Sequence, residues 1–360
     1  MANSRIDLST LGWDAAWERQ FAAAAQPQWT PARVAEEDKH GFRVVTPGGE
    51  VRARISGRLR HDNRTPADLP KVGDWVALVR LPGEEKAVIH RILPRRTRVA
   101  RKTAGREMSE QVLATNMDVA FVVQALDSTF HPRRLERFLV MVHEGGARPV
   151  VILNKADLCA DPTPCLAEAQ KAAGAVPVVI TCARTGRGMK ELANHLGSGQ
   201  TAVFIGTSGV GKSSLINRLY GEEVQPTLEV RERDAKGRHA TTWRELILLP
   251  SGGLVIDTPG MREFHMGLAQ DAMGDAFPDL ATLGQDCRFR DCTHTVEAGC
   301  AVRVAVADGR LDSSRHQNYL KLRLELDYLA EENRIHTYRV NRRRAGRPSP
   351  PLPDDPEEAD

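Results

Sequence analysis

The sequence predicts a multidomain fold: an N-terminal β-barrel, a central doubly wound α/β domain and a C-terminal helical domain clipped by a metal ion. Three observations carry the prediction. Val51, Ala53 and Ile55 alternate with Arg52, Arg54 and Ser56, the period-two signature of a half-buried strand, and similar short segments follow up to Ile92. From about Gln111, continuous apolar runs alternate with helically spaced ones, the pattern of a parallel sheet covered by helices. Beyond Leu280, three cysteines and a histidine share one short stretch. A chain of 360 residues also exceeds one ordinary core and fits two or three domains.

Composition narrows the class. The chain is 41% hydrophobic and 27% charged with few aromatics, as expected for a soluble globular protein. No apolar run reaches the roughly eighteen residues of a membrane span, and 1–9 lacks a basic stretch followed by an apolar core, so no membrane partner or secretory signal is expected. Clustered cysteines in a large, signal-less chain argue for metal and a reducing, cytoplasmic location. The net charge of +3 excludes a general polycation, but Arg91, Arg95, Arg96, Arg98, Arg101, Lys102 and Arg106 crowd one segment and Arg339, Arg342, Arg343, Arg344 and Arg347 another. Such patches either neutralise nucleic-acid phosphates or form a solvated linker and tail.

In chain order, residues 1–30 form an extension with an Ala-rich helical stretch at 13–25, either a docking arm or a frayed end. Residues 31–105 hold the barrel: strands at 51–55, 75–79 and 87–92 are separated by turn formers such as Pro47-Gly48-Gly49 and Pro82-Gly83. Periodicity leaves an oligonucleotide-binding (OB) barrel and an SH3-like barrel both open. Residues 106–280 form the α/β domain, with strands at 119–123, 150–153, 176–180, 202–205 and 254–256 and a helix at 135–142. Ligands of such sheets bind at the carboxyl ends of the strands. Residues 281–345 carry the cysteine cluster and a long amphipathic helix with Tyr319, Leu322, Leu326 and Leu329 at helical spacing. The tail, 346–360, is rich in Pro, Asp and Glu and is expected to be disordered.

The strand at 202–205 runs into Gly206-Thr207-Ser208-Gly209-Val210-Gly211-Lys212-Ser213-Ser214 and then an apolar helix. This is a P-loop in its required strand–loop–helix setting. The glycines let backbone amides turn inward around phosphates, and the helix N-terminus adds the positive end of its dipole. Lys212 is expected to reach the β- and γ-phosphates, and Ser213 to bind Mg²⁺. Some fifty residues on, Asp257-Thr258-Pro259-Gly260 follows an apolar strand; Asp257 is expected to hold Mg²⁺ through water and the Gly260 amide to sense the γ-phosphate.

Asn154-Lys155-Ala156-Asp157 follows the strand at 150–153. Guanine presents two donors on one edge, and the Asp157 carboxylate can accept both, which adenine cannot satisfy. Asn154 ties the loop and contacts the base, the stem of Lys155 covers its face, and Thr181-Cys182-Ala183 forms the second base loop, with Cys182 there as a small residue. The base loops precede the P-loop, the reverse of most GTPases. A circular permutation that keeps strand positions and moves only the chain ends accommodates this. In the cluster, Cys287, Cys292, His294 and Cys300 complete a closed, structural Zn²⁺ site of three thiolates and one imidazole.

The permuted motif order, the strand-rich N-terminal segment and the cysteine cluster together resemble the ribosome-small-subunit-dependent GTPase A (RsgA) family over roughly residues 32–338. Supporting stretches are Ser56-Gly57-Arg58-Leu59, Val72-Gly73-Asp74-Trp75-Val76 and Asp257-Thr258-Pro259-Gly260-Met261-Arg262-Glu263-Phe264. The resemblance implies an OB-like barrel, a circularly permuted P-loop GTPase domain and a zinc-binding helical domain. It also implies late maturation of the small (30S) ribosomal subunit, with hydrolysis of GTP to GDP stimulated by that subunit. The expected partners are the 30S subunit and its 16S rRNA, and the protein is expected to be a monomer. Met261 stands where Ras-like proteins carry a water-orienting glutamine. The family's switch loop, Gly-x-His-Thr-Thr-Thr, reads here Gly237-Arg238-His239-Ala240-Thr241-Thr242, which makes His239 the candidate to orient water and Thr241, ahead of Thr242, the candidate Mg²⁺ ligand. The alternative reading is an RNA-binding assembly factor that uses GTP only as a shape switch; a GTPase serving a protein or membrane partner ranks lower. Cys159 and Cys165 carry no role legible in the sequence.

Overall fold

The computed structural model describes residues 6–24, 26–63, 65–102, 110–221, 244–257 and 271–344. These fall in two compact units: described residues within Met1–Arg101 and Glu110–Phe264 form the first, and those from Asp271 onwards belong to the second.

The barrel comprises β1 (Thr30–Asp38), β2 (Gly41–Thr46), β3 (Gly49–Ile55), β4 (Trp75–Arg80) and β5 (Lys86–Ile92). They pair in the order β1-β2-β3-β5-β4, and β4 closes back on β1. Inward positions of the alternating strands meet in one core that includes Val34, Val44, Val51, Leu78 and Ile89. A helix, α2 (Gly57–Asp62), capped by the Ser56 hydroxyl, connects β3 to β4 and buries Leu59 in that core. This topology is OB-like and decides between the two barrels that periodicity left open. The Val72-Gly73-Asp74-Trp75 stretch leads into β4. Gly73 has φ +95°, and a Cβ there would collide with the Thr115 carbonyl. The buried Asp74 carboxylate accepts Arg95 Nε at 2.9 Å and Nη2 at 2.8 Å.

The second sheet region comprises β8 (Val119–Ala125), β9 (Arg148–Asn154), β10 (Val178–Ile180), β11 (Thr201–Ile205), β12 (Arg244–Leu248) and β13 (Leu254–Asp257); β6 (Arg98–Lys102) and β7 (Glu110–Thr115) make a separate two-stranded ribbon on the way in. The order is β10-β9-β8-β11-β13-β12, parallel except for β12. The P-loop strand β11 is thus central, although it comes fourth of the six in the chain. Between the strands run α3 (Pro132–Glu144), α4 (Thr163–Ala173), α5 (Met189–Asn194) and α6 (Lys212–Tyr220); α3 packs with α4 and α5 with α6. Phe121, Val123, Phe204, Leu192, Leu215 and Ile216 share one buried cluster, which explains the apolar runs.

Barrel and α/β sheet are continuous. β1 pairs antiparallel with β12, Glu36 opposite Glu245 and Glu37 opposite Arg244, so eleven strands form one sheet. Arg33 of β1, only 2% exposed, reinforces the junction. It donates to the carbonyls of Leu11, Asn116 (3.2 Å) and Gly73 (3.4 Å) and to the Thr201 hydroxyl at 2.8 Å. Burial lowers its pKa to about 10, which still leaves it charged near neutrality.

The N-terminal segment docks on this junction. Asp14 caps α1 (Ala15–Ala22), Trp17 is buried, and Trp13 meets Trp75 edge-on at 4.7 Å. Arg96 forks to Asp14 at 2.6 and 2.7 Å and lies 4.0 Å over the Trp17 ring. Two members of the basic segment expected to face phosphates or solvent, Arg95 and Arg96, are therefore engaged in internal ion pairs.

The second unit contains α7 (Asp271–Ala276), α8 (Pro278–Gly284), α9 (Ala301–Ala307) and α10 (Ser313–Arg344). It includes Phe277 and Asp279, ahead of the expected boundary at 280. Arg315, 1% exposed, forks to Asp279 at 2.7 and 2.8 Å, and Tyr319 meets Phe277 edge-on at 5.4 Å. Leu322, Leu326 and Leu329 are buried along α10.

Replacing Arg33 by methionine strands several buried acceptors, each costing about 1–3 kcal/mol. The R33M variant is expected to lose about 3 kcal/mol in urea denaturation; an unmoved midpoint would show that the junction is held by strand pairing alone.

Candidate active site and metal centre

The carboxyl ends of β9, β10 and β11 bring three sequence motifs together. Asn154, at the end of β9 and 2% exposed, is their meeting point. Its Nδ2 donates to the Val210 carbonyl in the P-loop at 2.9 Å. Its Oδ1 accepts the Thr181 hydroxyl at 3.1 Å and the Ala183 amide at 3.3 Å. The approach is close enough to dictate a glycine: Gly211 has φ +94°, and a Cβ there would collide with Asn154 Nδ2.

After Asn154 the chain turns sharply. Lys155 is left-handed (φ 64°, ψ 40°), and its ammonium lies 3.4 Å from Asp127, just past the end of β8. Ala156–Leu158 forms a single 3₁₀ turn that presents Asp157. The Asp157 Oδ1 accepts the Cys182 thiol at 3.0 Å, and Oδ2 pairs with Arg184 at 2.9 Å. The thiol bond above all, aided by the Arg184 charge, holds this carboxyl below its ordinary pKa and keeps it ionised. Cys182 is buried, and its amide bonds the Arg187 carbonyl. Asp127 and Arg184 were absent from the sequence-based set. Asp127 was findable as a residue just after a parallel strand, and Arg184 as the neighbour of Thr181-Cys182-Ala183.

On the phosphate side, Gly206 leaves β11 where a Cβ would strike the Val123 carbonyl. Thr207, Ser208, Gly209 and Val210 lead into α6, which begins at Lys212. Its first amides have no intrahelical partner, so the turn at Gly211, Lys212, Ser213 and Ser214 presents donors and the positive dipole end. Lys212 Nζ bridges the loop, donating to Gly206 O at 2.8 Å and Thr207 O at 2.9 Å. Asp257 ends β13, the parallel neighbour of β11. His239, Thr241 and Gly260 lie outside the described residues.

In the second unit, Cys287, Cys292, His294 and Cys300 place one ligand atom each within 4.8 Å of one another. His294 points Nδ1 inward, 3.6 Å from Cys287 Sγ and 3.4 Å from Cys300 Sγ. His316 Nε2 lies 3.0 Å from the His294 carbonyl, and Cys300 caps α9. The Glu297 carboxylate accepts the amides of Thr293 (2.8 Å), Thr295 (3.0 Å) and Val296 (3.1 Å), shaping the loop between the ligands. Burial pushes the Cys292 thiol up to about 12 and lowers the His294 imidazole. Three sulfurs and a neutral imidazole facing one point suit a tetrahedral thiophilic cation, and the group can hold a metal.

A parallel sheet with a P-loop on its central strand and a guanine-type Asn-Lys-x-Asp loop two strands away defines a P-loop GTPase, circularly permuted because the base loops come first in the chain. The RsgA GTPase family model matches residues 92–267. A relative from Opitutus terrae, named small ribosomal subunit biogenesis GTPase RsgA, is 46% identical over 335 residues, covering 90% of this chain and 91% of the relative. One of the same name from Syntrophotalea carbinolica is 42% identical over 329 residues, covering 89% and 90%. Among solved structures, YjeQ from Thermotoga maritima superposes with a TM-score of 0.62 at 26% identity, covering 83% of this chain and 98% of that one. YloQ, described as a circularly permuted GTPase, does so with 0.59 at 25%, covering 84% and 97%. The chain belongs to the RsgA GTPase family and is a GTP-hydrolysing enzyme. No helix among the described residues is long and apolar enough to cross a membrane.

Purified protein is expected to carry about one equivalent of tightly bound metal by elemental analysis, lost in C292S together with cooperative unfolding of the second unit. A metal-free wild type with an intact second unit would refute the assignment.

Proposed function

We propose that this enzyme hydrolyses GTP while bound to the small ribosomal subunit, assists late maturation of that subunit, and is stimulated by it. The observation that carries the nucleotide part is the Asn154–Val210 bond, which joins the base loop to the phosphate loop across the intervening strand β8. The ribosomal part rests on the names of the relatives. The barrel and the cysteine–histidine unit are the parts that would meet 16S rRNA, since OB folds suit single-stranded or irregular RNA.

In this reading the ionised Asp157 accepts both donors of the guanine edge, taking them in place of Cys182 and Arg184. Asn154 keeps the two base loops and the P-loop in register, the Lys155 stem covers the base, and the Ala183 amide meets the guanine carbonyl. The amides from Gly209 to Ser214 wrap the phosphates, with Gly206, Thr207 and Ser208 shaping the approach. Lys212 exchanges its loop carbonyls for phosphate oxygens. Mg²⁺, when bound, neutralises phosphate charge, and Ser213, Asp257 and Thr241 are the residues to hold it. Gly260 senses the γ-phosphate. With Met261 in place of the usual glutamine, His239 is the residue to orient the attacking water when the subunit is bound. Zn²⁺ at the four-residue cluster serves structure, since all four tetrahedral positions are taken by protein.

Asp157→Asn should weaken GDP binding about 100-fold by calorimetry, because the carboxylate that accepts both guanine donors is lost. The bond from Cys182 holds the Asp157 carboxyl below its ordinary pKa, so it is already ionised within the ordinary carboxylate range. Wild-type affinity is therefore expected to be flat from about pH 5 to 8 and to fall below about pH 4; a decline already at pH 6 would assign base reading elsewhere. Single-turnover hydrolysis with 30S subunits should be stimulated in wild type and lose most of that stimulation in H239A. Equal stimulated rates would remove His239 from the mechanism, and failure to co-sediment with 30S subunits at low salt would remove the ribosomal assignment.

A further inference from the structure

We propose that Arg43, a barrel residue, is a positioning residue for the magnesium side of the GTPase site. β12 lies between β1 of the barrel and β13. In this register Glu36 of β1 stands opposite Glu245 of β12, and Glu245 stands opposite Asp257, the last residue of β13. Three carboxylate-bearing residues therefore occupy one cross-strand row, where directly opposed like charges repel. Arg43 of β2 extends the row, opposite Glu36. Its guanidinium reaches Glu36 at 2.9 Å, Glu50 at 3.0 Å and Glu245 at 2.5 Å.

The geometry needs an arginine: one planar fork serves carboxylates on three strands at once, which a lysine ammonium on a flexible stem does not hold in fixed directions. The Arg43 and Glu36 side chains are 22% and 23% exposed, so their bond is less screened than an ordinary surface pair, while Glu245 at 45% and Glu50 at 57% keep more contact with water. These bonds matter because the register shared by β1 and β12 is short, Glu36 with Glu245 and Glu37 with Arg244. Without Arg43, the repulsion between Glu36 and Glu245 falls on the pairing that joins the barrel to the α/β sheet. The strand that shifts is β12, whose Glu245 stands opposite Asp257. Arg43 thereby lets the state of the barrel bear on the metal side of the nucleotide site.

The inference rests on the reading of Asp257 as a magnesium-side group. It is tested in the full chain by release of a fluorescent GDP analogue across a Mg²⁺ titration, together with amide hydrogen exchange over 244–257. R43A is expected to raise the Mg²⁺ midpoint at least about threefold, to speed exchange in β12 and to leave release in EDTA unchanged. Adding E245Q removes the repulsion and returns the midpoint toward wild type. R52A breaks the Arg52–Asp38 pair elsewhere in the barrel and leaves the midpoint in place. An R43A midpoint that is unchanged or lowered, or an equal shift in R52A, overturns the coupling while leaving Asp257 in its role. Mg²⁺-insensitive release from the wild type overturns the Asp257 reading and the coupling with it.

Discussion

The site depends on one buried carboxamide. Asn154 has a donor and an acceptor on one short side chain, and here each is committed: the amine to the Val210 carbonyl, the oxygen to Thr181 and Ala183. Three loops at the ends of three strands are thereby fixed relative to one another, although β8 separates β9 from β11. The same closeness excludes any Cβ at Gly211. Leaving either end of this amide unpaired in a buried place would cost about 1–3 kcal/mol. It is a bond to a backbone carbonyl and to a backbone amide, so it constrains the main-chain path of the loops as well as their side chains.

A second constraint binds the barrel to the sheet. Arg33 collects carbonyls from Leu11 in the N-terminal segment, Gly73 just ahead of β4 and Asn116 between β7 and β8, plus a hydroxyl at the start of β11. A long, always-charged side chain buried this deeply is tolerable because its donors find acceptors on several sides. The Arg96–Asp14 fork and the Trp13–Trp75 contact extend the junction to α1. Barrel and α/β domain, expected as separate domains at 31–105 and 106–280, share one sheet and one compact unit.

What was legible in the sequence was what local chemistry specifies. The P-loop needs its glycines and lysine at fixed spacing beside a strand and a helix, and the four metal-ligand candidates lie within fourteen residues of chain. The strands of the parallel sheet announced themselves as apolar runs because both faces are covered. Long-range pairings left no comparable trace. The β1–β12 ladder joins residues some two hundred positions apart, and nothing in the periodicity of either strand names its neighbour. Arg95 and Arg96 read as free basic charge because their partners, Asp74 and Asp14, lie 21 and 82 residues away. The α2 helix that begins within Ser56-Gly57-Arg58-Leu59 was missed because a six-residue helix carries little amphipathic signal.

The permutation also changes the order in which the molecule can be built. During synthesis β8, β9 and β10 emerge first and can pair as a parallel half-sheet, but β8 then presents an open edge until β11 arrives. The central strand is delivered after the neighbours on one side and before β13 on the other. Such late insertion of a middle strand raises contact order and prolongs exposure of an apolar edge in the nascent chain. The barrel, complete by residue 92 and ahead of all of these strands, can fold before that edge appears.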